Sequence, residues 1–143
     1  MNILVLNGPN LNMLGLREPG IYGSQTYDDL VAFVQKSAHE LGVQADVRQS
    51  NDEGELVTWI QQAYGEFDAI VINPAAYTHT SVAILDALLA VNLPAVEVHL
   101  SDVHAREAFR QISYCAMACK HVIAGQGFAG YHEAIKCLAS PAK

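Results

Sequence analysis

Ile3-Leu4-Val5-Leu6-Asn7-Gly8-Pro9-Asn10 begins with four apolar residues in succession and breaks at once into amides, a glycine and a proline. An unbroken apolar run bounded by turn residues reads as a strand buried on both faces, as in a parallel sheet. From Thr26 to Leu41 the apolar residues recur at helical spacing, with Thr26 able to cap the segment, Asp29 three residues on, and Gly42 able to end it. Residues 8–25 lie between, far more than the roughly 2–6 residues that usually join a strand to a helix. The excess reads as an active-site lid, polar and glycine-rich, carrying Asn10, Asn12, Arg17 and Tyr22. An arginine near a tyrosine on such a lid can bring a phenol of ordinary pKa about 10 down far enough to act as a base near neutrality.

The strand-then-helix pattern repeats outward from this unit. Ala45 to Arg48, Ala69 to Ile72, Val96 to Leu100 and Val122 to Ala124 are further strand-like runs, each followed by a stretch of 3.6-residue periodicity. Asp52 and Glu55 repeat the capping pattern of the first helix, and Gly65 closes the second. Five such units imply an α/β fold in three layers: a doubly wound, flavodoxin-like parallel sheet of order 2-1-3-4-5 with helices on both faces. The chain, residues 1–143, reads as a single catalytic domain of a size that buries roughly 70% of its unfolded surface.

In that fold a ligand binds beyond the carboxyl ends of the strands, where the strand order reverses. Four segments meet there: Asn7-Gly8-Pro9-Asn10, Asn73-Pro74 to Ser81, His99-Leu100-Ser101 and Gly125-Gln126-Gly127. They are rich in amides, hydroxyls and imidazoles. The segment after the third strand opens a helix whose N-terminal amides favour an anion, with Thr80 or Ser81 as its cap. A small, polar, anionic ligand is expected. Taken singly, Asn7, Asn10 and Asn73 could equally cap turns. Glu97 and His99 point to one side of a strand whose other side, Val96 and Val98, is apolar, so the carboxylate can orient the imidazole and favour its protonated, proton-donating form. A plain buried ion pair is the alternative. Asp86 interrupts a helical run, Val82 to Leu89, that is apolar nearly all round, so the run should be buried or at a subunit interface and its carboxylate should meet a cation. His39, His121 and His132 read as structural or solvated.

Composition narrows the class. Hydrophobic residues make up 51% and charged ones 16%, which suggests that other copies of the chain cover some apolar surface. A net charge of −7 without clustered Lys or Arg argues against nucleic acid. The three cysteines, Cys115, Cys119 and Cys137, lack a second ligand cluster at zinc spacing and read as reduced, packed thiols, so no metal is expected. None of the four lysines lies in the crevice segments, leaving an imine route without its nucleophile. No basic leader or apolar run of about 18 residues is visible, so a cytoplasmic protein without a membrane partner is expected. A flavin- or phosphate-binding module would want free amides after the first strand, where Pro9 removes one. A signalling receiver would want an acidic cluster where Asn7 and Asn73 stand, and a lysine after the fifth strand where Gly125-Gln126-Gly127 stands.

Asn7-Gly8-Pro9-Asn10-Leu11-Asn12, Arg17-Glu18-Pro19-Gly20-Ile21-Tyr22-Gly23, Asn73-Pro74-Ala75-Ala76-Tyr77-Thr78-His79-Thr80-Ser81, Val96-Glu97-Val98-His99 and His104-Ala105-Arg106-Glu107-Ala108-Phe109-Arg110, in this order and spacing, closely resemble the type II 3-dehydroquinases. The resemblance runs from the first strand to about Gly130. It implies a hydro-lyase that needs no cofactor and dehydrates 3-dehydroquinate to 3-dehydroshikimate, in the shikimate or quinate pathway, by anti elimination through an enolate. By the same likeness Tyr22 is the base, Arg17 lowers its pKa, His99 protonates the departing hydroxyl, and Asn10 with the Pro9 carbonyl holds a water at the enolate oxygen. Asn73, His79 and Arg110 match residues that bind substrate hydroxyls, the Leu100-Ser101 backbone matches the carboxylate site, and Asp86 matches a carboxylate that reaches a neighbouring chain's site in a dodecamer of trimers. Arg106 is a candidate second cation near the tyrosine. The sequence departs from the pattern at Ala75, where the family often has glycine, and at Cys115 to His121, where a serine-bearing run ending in glycine is usual.

Overall fold

Leu4 and Leu6 face one side of the first strand and Ile3 and Val5 the other, and all four are fully buried because helices cover both sides. This strand, β1, spans Asn2–Asn7. The computed structural model describes residues 1–16 and 24–140, so the segment from Arg17 to Gly23, with the expected base Tyr22, lies outside the described residues. The remaining strands are β2 (Gln44–Gln49), β3 (Ala69–Asn73), β4 (Ala95–His99) and β5 (His121–Ala124). All pair in parallel, in the order β2-β1-β3-β4-β5, as the alternating pattern implied.

The described α-helices are α1 (Tyr27–Glu40), α2 (Glu53–Gln62), α3 (Val82–Val91) and α4 (Ala129–Ala139). Thr26 and Asp29 cap α1 reciprocally, the Thr26 hydroxyl accepting from the Asp29 N–H at 3.2 Å and the Asp29 carboxylate from the Thr26 N–H at 2.9 Å. Asp52 caps α2 and Ser81 caps α3 through their side-chain oxygens. Leu30 and Val34 of α1 pack with Tyr131, Ile135 and Leu138 of α4 on the Ile3 side of the sheet. Leu56 and Ile60 of α2 pack with Ile84, Leu88 and Val91 of α3 on the Leu4 side.

The connection from β4 to β5 departs from the expected repeat. It holds no α-helix but three 3₁₀ turns, Val103–Ala105, Ala108–Gln111 and Cys115–Ala118. The reason lies in its side chains: Phe109 and Ile112 are exposed rather than aligned into a buried stripe, and Ser113 and Arg110 are spent on polar contacts at the sheet's end. Without an apolar face to bury, a full helix has little to stabilise it.

Two features bring the loops after β1 and β3 together. The Gly8 N–H donates to the Asn73 carbonyl at 2.8 Å, and a Cβ on Gly8 would sit 2.5 Å from the Pro74 carbonyl oxygen, so only glycine permits this approach. Ala75 takes a left-handed φ of 52°, a conformation that glycine adopts freely and alanine does not, so the backbone here favours glycine and nothing in the structure explains the alanine. The strained turn is held by the Ala75 N–H donating to Asn73 Oδ1 at 3.1 Å.

Candidate active site

At the carboxyl ends of β1, β3 and β4 the chain encloses a crevice of about 500 Å³, counting its open mouth. Pro9, Asn10 and Leu11 line it after β1; Asn73, Ala75, Ala76 and His79 after β3; His99, Leu100, Ser101, Val103, Arg106 and Arg110 after β4. Asn10, Asn73, His79, His99, Leu100, Ser101 and Arg110 therefore converge although 100 residues of sequence separate the first from the last. The turn Ala75–His79 supplies the lining from the β3 side, and the first turn of α3 does not, contrary to expectation: the Ser81 hydroxyl already takes the Ile84 N–H at 2.9 Å.

His99, which lines the crevice, is paired with Glu97 behind it. His99 Nε2 lies 2.9 Å from Glu97 Oε2, and both side chains are almost wholly buried. Burial alone would raise the Glu97 carboxyl; the hydrogen bond and charge of His99, with donors from Ser113 and Cys115, outweigh it and hold Glu97 below its ordinary value. An ionised carboxylate only accepts, so Nε2 carries the proton and Nδ1 is left as the nitrogen able to exchange one with a ligand. The His79 ring is oriented by a similar argument. Its Nδ1 lies 2.7 Å from the Ile112 carbonyl and must donate, which leaves Nε2 for the crevice.

Each asparagine serves the scaffold as well as the site. Asn10 sits at φ 70° with its N–H donating to Asn51 Oδ1 at 3.0 Å, and Gln49 Nε2 donates to the Gly8 carbonyl at 3.2 Å behind the same loop. Asn7 and Asn73 are opposite in register and joined by one phenol: Asn73 Nδ2 donates to Tyr131 Oη at 2.9 Å, which donates to Asn7 Oδ1 at 2.7 Å. Burial pushes the Tyr131 phenol well up, so it stays a neutral donor.

Arg110 Nε lies 2.7 Å from Glu107, and Arg106 Nε lies 3.9 Å from the same carboxylate, so two guanidiniums stand together at the rim. Asp86 lies outside the crevice, exposed on α3 with Val82 and Leu89, which are 49% and 55% exposed. In a single chain that face meets water rather than the partner cation expected of it. Arg17 and Tyr22 fall outside the described residues. Among the described residues no group of three potential metal ligands exists, and no helix is long and apolar enough to cross a membrane.

Ser113 and Tyr131 were missed in the sequence. Ser113 Oγ donates to Glu97 Oε1 at 2.8 Å, but nothing in Gln111-Ile112-Ser113 marks it. Tyr131 occupies a core position of an amphipathic helix, where a phenol reads as apolar filling; the only clue was its polar tip.

Fold and site together define a flavodoxin-like α/β enzyme with a polar, imidazole-bearing crevice at the switch point of its sheet. The family model for class II dehydroquinases matches residues 1–139. The chain belongs to that family. It is 61% identical over 133 residues to the 3-dehydroquinate dehydratase of Aeromonas salmonicida, covering 93% of this chain and 89% of the relative. It is 51% identical over 138 residues to that of Clostridium acetobutylicum, covering 96% of each. The crystal structure of the type II dehydroquinase from Butyrivibrio crossotus superposes with a TM-score of 0.96 at 48% identity, covering 98% of both chains. That from Propionibacterium acnes gives 0.94 at 46%, covering 98% of this chain and 97% of the other.

Proposed function

We propose that this chain dehydrates 3-dehydroquinate to 3-dehydroshikimate by a cofactor-free anti elimination in which Tyr22 is the base and His99 the acid. The observation that carries the reading is the His99–Glu97 pair, with its 2.9 Å bond on the buried side and its second nitrogen toward the crevice. In the starting state Tyr22 is a phenolate and His99 an imidazolium. The phenolate takes the C2 proton, the electrons pass into an enolate, and a water held by Asn10 and the Pro9 carbonyl donates to the enolate oxygen. As the enolate collapses, His99 Nδ1 gives its proton to the departing hydroxyl, which leaves as water. Glu97 offsets the imidazolium charge before that step, and transfer of one proton from Tyr22 to His99 through solvent resets the site.

Arg17 lowers the Tyr22 pKa, with Arg106 as the second cation. Asn73, His79 and Arg110 bind the substrate's hydroxyls, and the Leu100-Ser101 backbone binds its carboxylate. Among the described residues no lysine lines the crevice, which supports an enolate rather than an imine route. The direct test is appearance of the conjugated enone by ultraviolet absorbance on mixing with 3-dehydroquinate. A folded, assembled protein that produces no absorbance change refutes the reading.

Asp86, exposed on its own chain, acts in a neighbour's site within an assembly of trimers, in this proposal a dodecamer. Tyr22→Phe and Asp86→Ala chains, each inactive, then regain activity when unfolded, mixed and refolded together, because some sites combine an intact Tyr22 with an intact Asp86. Mixed assemblies no more active than either parent would place Asp86 outside the neighbour's site.

A further inference from the structure

The turn Cys115–Ala118 lies against α3 and β4, directly behind the acid–base pair. Ser113, just before it, ties the turn to Glu97: its hydroxyl accepts the Ala116 N–H at 3.0 Å while lying 2.8 and 3.1 Å from the two carboxylate oxygens. Cys115 is buried, 1% exposed, and its thiol also donates to Glu97. Four residues on, half-buried Cys119 ends the turn, and its sulfur lies 3.9 Å from that of Cys115. A disulfide bond is about 2.05 Å long, so the sulfurs need approach by only about 1.9 Å, within reach of side-chain rotation at the turn's end. Cys137 is exposed on α4, on the other face of the sheet.

We propose that Cys115 and Cys119 are a site of reversible oxidation by peroxides, and that closing their disulfide disarms the Glu97–His99 pair. The second half rests on the reading of His99 as the acid. Cys119 reacts first because it is the more accessible, and because the hydrogen bond with Cys119, burial and the Glu97 charge hold the Cys115 thiol protonated, its pKa well above the ordinary value. The Cys119 sulfur attacks hydrogen peroxide, the O–O bond breaks, and hydroxide leaves with the thiol proton as water, giving a sulfenic acid. The Cys115 sulfur then attacks the Cys119 sulfur, the S–O bond breaks, and the departing hydroxide takes the Cys115 proton as a second water. Two thiols lose two electrons and the peroxide gains them. Glu97 loses the Cys115 donor, and the turn that positions Ser113 tightens, so the carboxylate shifts against the imidazole it orients.

The test treats the intact protein with hydrogen peroxide and follows three readouts: peptide mapping without reductant, kcat, and the pH profile of kcat. The expected results are a Cys115–Cys119 cross-link with loss of two hydrogens, at least a tenfold fall in kcat, a displaced acid limb, and recovery of all three with dithiothreitol. Cys119→Ser keeps basal turnover and becomes resistant to peroxide. Failure of the cross-link to form while Cys137 is oxidised overturns the proposal, as does a cross-linked protein with unchanged kcat and profile. Loss of activity in Cys119→Ser equal to that of the parent also overturns it. Reduced His99→Ala separates the two readings. If it keeps full turnover, the acid assignment falls and the disarming falls with it; if it is inactive while the cross-linked parent is active, the switch alone falls.

Discussion

Tyr22→Phe abolishes turnover while binding of a substrate-like anion stays within a few-fold. The substitution removes one oxygen and leaves the ring, so what is lost is the acceptor for the proton in flight. A positioned general base contributes about 10²–10⁴-fold, and the loss falls on kcat because the hydroxyl acts in the transition state rather than in ground-state binding. Steady-state kinetics combined with calorimetric titration of a non-reacting analogue separates the two quantities. Retention of a tenth of the parent kcat would remove Tyr22 from the role.

His99→Ala has the second largest effect, and it acts twice. Loss of the proton donor lowers kcat by about 10²–10⁴-fold. It also leaves Glu97 buried without its main partner, which costs stability on the order of 1–3 kcal/mol. The two effects separate by pH. In the parent, Glu97 has a lower pKa folded than unfolded, so its contribution to stability is fully present above the unfolded value and is lost as pH falls through the folded one. In the variant burial dominates and the folded carboxyl rises above its unfolded value, so Glu97 no longer adds to the acid-side loss of melting temperature; the destabilisation is full at neutral pH and is relieved as pH falls through the folded value. Melting curves across the acid range check this; identical acid-side profiles would show that the pair has no thermodynamic coupling.

What the sequence made legible follows from which interactions are local. Ile3 to Leu6 and Ala69 to Ile72 read as strands because a run buried on both faces must be apolar throughout, and Thr26, Asp52 and Ser81 read as caps because a cap bonds an amide three residues away. Three of the four expected crevice segments line it, as the topology implied, whereas Gly125-Gln126-Gly127, after β5, does not. The misreadings came where partners are distant or the backbone is unusual. His104 to Arg110 carries helix-forming residues, but its neighbourhood has no buried face, so it coils into short turns. Ser113 bonds Glu97 across 16 positions and Tyr131 bonds Asn7 across 124, and no periodicity encodes such pairs. Ala75 has a left-handed backbone that its residue type argues against.

The bridge from Asn7 through Tyr131 to Asn73 bears on how the molecule is made. A ribosome delivers β1 and β3 early, and these strands can find each other while the rest of the chain is still in the tunnel. Their two amides, however, wait for a phenol carried on α4. Until α4 emerges and docks, the wall of the crevice is unbraced and the Ile3 face of the sheet lacks Tyr131, Ile135 and Leu138 as its cover. The sheet can thus precede the site during synthesis, and competence to turn over substrate marks a polypeptide translated through α4.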